Sequence, residues 1–201
     1  MSFVLASSSP RREQLLKSLD VQFAIVKPTA EESDGDGSPP EEVVKANSEA
    51  KARSVAENRT GDSLILGADT LVFLDKRVLG KPRDITEARE MLQALSGRQH
   101  FVYTGLTLIQ LGTGAVLTDF ERTAVTFRQL SDADIDLYLQ AVSPLDRAGA
   151  YTVEGVGSLL VERFEGCYFN VVGLPLVKLD EMLRSLGVNL FAPPFLPPST
   201  E

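Results

Sequence analysis

Residues 64–74 read LILGADTLVFL, an almost unbroken apolar run with one acid, Asp69, near its middle. A run that continuous predicts a strand buried within a sheet, not one with a wet face. Residues 63–67 lead into Ala68-Asp69-Thr70, residues 71–74 continue the strand, and Asp75-Lys76 reads as a turn into Val78-Leu79. A carboxylate inside such a segment is costly to bury unless it is paired, hydrogen-bonded or holding a metal. Asp69 is therefore the first candidate for a functional residue.

Short apolar runs and helical spacings alternate around that strand. Residues 3–6 predict a strand, and Leu15, Leu16 and Leu19 give residues 11–19 a helical face. A second strand is expected at 21–26, an acidic Gly/Pro/Ser-rich loop at 29–40, and a helix at 41–58 with Val43, Val44, Ala50 and Val55 inward. Residues 86–95 are expected to form a helix with a Thr cap and a Ser96-Gly97 stop. Beyond it, 100–111 and 115–128 resemble a hairpin, 131–141 a helix with an acidic first turn, and 153–163 and 168–172 strands. A last helix is expected at 176–186. The pattern predicts an α/β fold with a mixed sheet, one domain over 1–190 and a Pro-rich tail over 191–201. Neither G-x-G-x-x-G nor G-x-x-x-x-G-K-[ST] occurs, so a regular dinucleotide or P-loop unit is not expected.

Composition narrows the chemistry. The 201-residue chain carries a net charge of -8, which disfavours generic binding to nucleic acid and makes any convergence of Lys and Arg informative. Cys167 is the only cysteine and His100 the only histidine, which excludes a thiolate zinc site, a multi-histidine site and an internal disulfide. A small buried role is expected for Cys167. No apolar run approaches the roughly 18 residues of a membrane span. The N-terminus, polar by Ser7, does not read as a signal peptide. The chain thus reads as soluble and cytoplasmic, with no membrane or nucleic-acid partner.

Polar clusters fall at the ends of the expected strands. Ser7-Ser8-Ser9-Pro10-Arg11-Arg12 follows the first: small residues bring backbone amides close to a ligand, Pro10 suits a first helical turn, and two guanidiniums can grip an anion. Glu31-Glu32 follows the second strand, Gly80-Lys81-Pro82 fixes a lysine in a tight segment, and Lys51 lies on the 41–58 helix. Taken singly, each of these is also compatible with a solvated surface role. Together they match a polyphosphate site: two carboxylates for a hard divalent cation, cations for the phosphates, and an acid to orient water.

In order along the chain, LASSSPRR (5–12), AEE (30–32), NSEAKA (47–52), LGADTLV (66–72), GKP (80–82), ALSGRQHFVYTG (94–105), DRAGAYTVEG (146–155) and NVVGLPL (170–176) resemble the Maf family of nucleoside triphosphate pyrophosphatases, also called septum-formation inhibitor Maf. That resemblance implies an ITPase-like fold, an elongated mixed β-sheet flanked by helices with a cleft between two lobes. It implies hydrolysis of nucleoside triphosphates to monophosphate and pyrophosphate with Mg²⁺ or Mn²⁺, in a homodimer. By position, Asp69 is implied as the catalytic or metal-organising acid and Glu32 as a metal ligand. Ser7, Ser9, Arg12, Lys51 and Lys81 are implied as phosphate binders. Three positions that track base preference in the family fall on Arg11, Thr70 and Glu154. Arg11 and Thr70 match the UTP/dTTP type, whereas Glu154 replaces its Gln and matches the 7-methyl-GTP type. An ionised Glu only accepts hydrogen bonds, so it suits adjacent donors on a base better than the edge of a pyrimidine. The alternatives carried forward are a modified-purine pyrophosphatase, a phosphatase that releases orthophosphate, and a non-catalytic nucleotide-binding regulator of cell division.

Overall fold

A computed structural model describes residues 1–190 and 192, except 34, 36 and 76. The expected proline-rich tail therefore lies, apart from residue 192, outside the described residues. Among them are seven strands: β1 (Ser2–Ala6), β2 (Ala24–Val26), β3 (Ser63–Leu74), β4 (Arg77–Leu79), β5 (Gln99–Gln110), β6 (Ala115–Phe127) and β7 (Val161–Glu165). The helices are α1 (Pro10–Lys17), α2 (Pro40–Ala56), α3 (Ile85–Leu95), α4 (Asp132–Ala141), α5 (Tyr168–Val172) and α6 (Leu176–Ser185). No helix among them is long and apolar enough to cross a membrane.

The strands form one mixed sheet in the order β2-β1-β3-β5-β6-β7, with β4 also on β3. β1 runs parallel to β2 and β3, and the other pairings are antiparallel. The run around Asp69 is a single continuous strand. One of its edges is fully paired to β5, from Leu64 opposite Gln110 to Phe73 opposite Phe101. Its other edge is shared: β1 pairs as far as Gly67, and β4 begins only at Val72. Between them, Ala68–Leu71 have no strand on this edge among the described residues, and the sheet splits open there.

Alternation along β3 divides the molecule. Ile65 and Leu71 face α2, packing with Val4, Ala52, Val55, Val43 and Val44. Leu64, Leu66 and Ala68 face the opposite side with Leu16, Leu174, Leu179 and Leu183, and Val72 and Leu74 join a second cluster with Leu92, Leu95, Phe127 and Ile135. Leu15 touches both of these clusters, which meet where the sheet opens. α2 lies unusually close to the sheet because two of the strand residues beneath it lack side chains. A Cβ on Gly67 would stand 2.8 Å from the Ala52 amide and nearer still to the Ser48 carbonyl, and one on Gly105 would stand 2.8 Å from the Lys45 amide.

Several local expectations are corrected. Helix α3 opens at an Asp84 cap, whose carboxylate accepts from the Glu87 amide, and not at Thr86. Residues 21–23 are not strand, and β2 spans only Ala24–Val26. Residues 153–163 do not form one strand: the chain first makes a 3₁₀ turn over Gly155–Leu160, and Val161 then enters β7. Gly155 has φ 57, and a Cβ on Gly157 would lie 2.6 Å from the Thr152 methyl, so the backbone folds back on itself here. Residues 168–172 (YFNVV) have strand-like composition but form α5. The buried Asn170 amide donates to the Val102 carbonyl and the Thr123 hydroxyl, and Gly173 at φ 123 ends the turn, so tertiary hydrogen bonds override β propensity. Cys167 is half-buried just before α5, not a core residue.

Candidate active site

The opening in the sheet leads into a cleft of about 710 Å³. The carboxyl ends of the parallel strands β1 and β2 deliver Ser7–Ser9 and Lys27 to it, as expected where neighbouring strand connections diverge. Of the residues predicted from sequence, Ser7, Ser9, Arg11, Arg12, Glu32, Lys51, Asp69, Thr70 and Lys81 all line this cleft. Glu154 does not. It lines an adjoining recess of about 410 Å³, together with Arg11, Gln14, Asp146, Arg147 and Thr152. Its amide donates to the Thr152 hydroxyl at 3.2 Å, and Thr152 borders both cavities.

Asp69 points to the α2 side. One carboxylate oxygen, Oδ1, accepts from Lys51 Nζ at 2.6 Å and the other, Oδ2, from Asn47 Nδ2 at 2.9 Å. Asp69 is 4% exposed and Lys51 5%, so this is a buried ion pair, whose desolvation cost is offset only by close geometry and further hydrogen bonds. Lys51 also reaches Glu32 at 2.7 Å and thus joins the two predicted carboxylates. Lys51 and Asn47 sit one helical turn apart on α2, which places both over Asp69. Asn47 was not singled out in the sequence. An Asn at i−4 from a candidate Lys on the same helix was the available signal.

Thr70, the next residue, faces the other side of the sheet. There Arg12, 8% exposed, donates from Nε to the Gly173 carbonyl at 2.8 Å and from Nη2 to Thr70 Oγ1 at 2.8 Å, with a long contact from Nη1 to Ser7 Oγ at 3.4 Å. Among the described residues no carboxylate lies within ion-pair distance of this guanidinium. Burial lowers its pKa, opposed in part by the charge of Asp69. Arg11 differs: its guanidinium lies 3.6 Å from Asp146, with its pKa lowered by burial and then by neighbouring Arg147.

Lys27, Arg147 and Tyr151 also line the cleft and were not predicted as site residues. Lys27 follows β2 directly, so a basic residue at the carboxyl end of a parallel strand was its signal. Arg147 stood within a quoted motif without a role. Six cationic side chains (Arg11, Arg12, Lys27, Lys51, Lys81 and Arg147) meet three carboxylates (Glu32, Asp69 and Asp146) in the cleft of a chain with net charge -8. A surplus of positive charge concentrated in one concavity of an acidic protein marks an anion site.

Residues 2–186 match the family described as Maf-like protein. This chain belongs to that family. Its Maf-like relatives include the dTTP/UTP pyrophosphatase of Moorella thermoacetica, 50% identical over 188 residues, with 94% of this chain and 96% of the relative covered. Another is the dTTP/UTP pyrophosphatase of Bacillus cytotoxicus, 46% identical over 182 residues covering 90% and 94% of the two chains. A third, of the same name, comes from Dictyoglomus thermophilum at 44% identity over 93% of this chain and 97% of the relative. Among solved structures, a HAM1 protein from Coxiella burnetii aligns with 63% of this chain and 73% of its own at 19% identity and a TM-score of 0.46.

Among the described residues of this Maf-like chain, no group of three or more His, Cys, Asp or Glu side chains is placed to hold a metal. Glu32 and Asp69 nevertheless fit a hard divalent cation, since they are oxygen donors close enough to share one ammonium, that of Lys51. Mg²⁺ commonly takes one or two carboxylates and completes its shell with phosphate oxygens and water.

Proposed function

We propose that this chain is a nucleoside triphosphate pyrophosphatase that hydrolyses the bridge between the α- and β-phosphates, releasing a nucleoside monophosphate and pyrophosphate. The observation that carries this reading is the buried Arg12 guanidinium, which has backbone and hydroxyl partners but, among the described residues, no carboxylate, facing the same cleft as the Asp69–Lys51–Glu32 chain. An anion in the cleft would compensate Arg12, and Lys81 and Lys27 would meet the outer phosphates.

Glu32 and Asp69 would hold a divalent cation, Mg²⁺ or Mn²⁺, which when bound polarises phosphoryl oxygens as a Lewis acid. Asp69 lines the cleft with each oxygen fixed by one donor, and each oxygen keeps further lone-pair capacity. It is suited to orient a water molecule and take its proton as the water oxygen bonds to phosphorus. The bridging oxygen leaves with the other phosphate, its negative charge met by Lys51, Arg12 and Lys81. Residues 1–190 act as one catalytic unit, since β1, β3, α1, α2 and the 146–153 segment all contribute to one cleft.

For the base, the family's UTP/dTTP type is the leading assignment, supported by the names of the relatives and by Arg11 and Thr70. Glu154 favours a second reading, a pyrophosphatase of a purine or methylated base with adjacent donors. A panel of canonical and modified nucleoside triphosphates with Mg²⁺ or Mn²⁺, read for both pyrophosphate and orthophosphate, tests both. Pyrophosphate release is expected. Orthophosphate alone would indicate a phosphatase, and absence of turnover with measurable binding would indicate the non-catalytic regulator.

A further inference from the structure

The Arg12 guanidinium is held by a ring of hydrogen bonds whose direction can be deduced. Thr104 Oγ1, on β5 and fully buried, donates to the Asn170 carbonyl at 3.1 Å. A carbonyl only accepts, and a threonine hydroxyl has one proton, so that proton is committed. In the 2.9 Å contact between Thr70 Oγ1 and Thr104 Oγ1, Thr70 must then be the donor. Its own proton is thereby spent, and it offers only lone pairs to Arg12 Nη2 at 2.8 Å. Arg12 Nε closes the ring on the Gly173 carbonyl, three residues along the chain from Asn170. Asn170 is itself pinned through its side-chain amide to the Val102 carbonyl and the Thr123 hydroxyl, each at 3.0 Å.

We propose that Thr104, which does not line the cleft, is a positioning residue: by accepting the Thr70 hydrogen bond it turns the Thr70 lone pairs towards Arg12 and holds that guanidinium in its phosphate-binding pose. Without the Thr104 hydroxyl, the half-buried Thr70 proton loses the acceptor that fixes its direction. It can then point at a donor, Arg12, and the ring opens at the link that touches the cleft. The inference rests on the reading of the cleft as a polyphosphate site, but its first consequence concerns the free protein.

The test compares Thr104→Val, which keeps the shape and removes the hydroxyl, with Thr104→Ser, which keeps the hydroxyl. In the ligand-free protein, the Arg12 Nε–H resonance should exchange with solvent faster in Thr104→Val and return towards wild type in Thr104→Ser. Calorimetric binding of inorganic tripolyphosphate should weaken about five- to tenfold in Thr104→Val, the scale of one lost hydrogen bond between neutral groups, and recover in Thr104→Ser. In a Thr70→Val background, Thr104→Val should add less than about twofold, because the link it acts through is already gone. Unchanged Arg12 exchange in Thr104→Val overturns the proposal, as does an equal loss with and without the Thr70 hydroxyl. A wild-type protein that shows the exchange effect but binds no tripolyphosphate would instead overturn the polyphosphate reading and leave the Arg12 ring standing.

Discussion

Gly67→Ala tests how closely the site depends on the approach of α2 to β3. A methyl at this position would stand 2.8 Å from the Ala52 amide and 2.9 Å from the Ala52 Cβ, and closer still to the Ser48 carbonyl. Carbon contacts are comfortable at about 3.5–4.0 Å, so helix and strand would have to part by roughly 1 Å. Ser48 and Ala52 flank Lys51 on α2, and Asp69 lies two residues along β3 from Gly67, on the same face. The displacement therefore falls directly on the 2.6 Å contact between Lys51 and Asp69. Overpacking of this kind costs about 1–3 kcal/mol of stability. A misplacement near 1 Å at reacting groups costs roughly 100-fold in rate. Urea denaturation gives the first quantity and steady-state pyrophosphate release from UTP with Mg²⁺ the second. Gly114→Ala is the control: Gly114 has φ 74 with open space around it, so the change strains the hairpin and leaves the cleft alone. Wild-type kcat/KM and an unchanged denaturation midpoint in Gly67→Ala would refute the claim that this close approach sets the geometry of the acid.

Asp69→Asn is expected to lower kcat about 100-fold or more while circular dichroism stays native, a scale typical of acid–base roles. Activity near wild type would remove Asp69 from the reaction. Glu154→Gln should move the substrate ranking towards UTP and dTTP in a competition assay, and an unchanged ranking would exclude Glu154 from reading the base. His100 is fully buried against Tyr151 and Phe127, and burial pushes its pKa down to about 4. The unfolded chain therefore binds this proton at higher pH than the folded one, and stability is lost as pH falls from about 6.5 to about 4, by about 3 kcal/mol in all. Denaturant midpoints measured across that window should flatten in His100→Gln; the same slope in the variant would place the effect elsewhere.

Asp69 was legible because an acid in an apolar run has few inexpensive explanations, and the Ser-Pro-Arg segment because a strand end, small residues and a helix start coincide. The division between Arg11 and Arg12 was legible only in part. The sequence sets them side by side, and it takes α1 packed under Gly173 to bury one guanidinium against a carbonyl and leave the other beside Asp146. Asn47 escaped notice because its role depends on the docking of α2, which Gly67 and Gly105 permit from strands distant in sequence. YFNVV misled for the related reason that the burial of Asn170, a long-range matter, outweighs the local preference of Phe and Val for strands. Glu154 was placed by resemblance among the residues that select the base, whereas the fold sets it in a side recess that Arg11 and Thr152 share with the main cleft.

The open edge of β3 has a consequence for how the protein behaves among copies of itself. Unpaired strand edges invite pairing with foreign strands and so promote aggregation. Here the gap between β1 and β4 spans only Ala68–Leu71, about 13 Å of strand. Helix α1 and the 146–153 segment stand at its mouth, and arginines and lysines surround it. An incoming strand would find too few backbone partners to gain register and would have to strip water from several charges to reach them. The sheet is thus opened for chemistry over a length too short to act as a template for another chain.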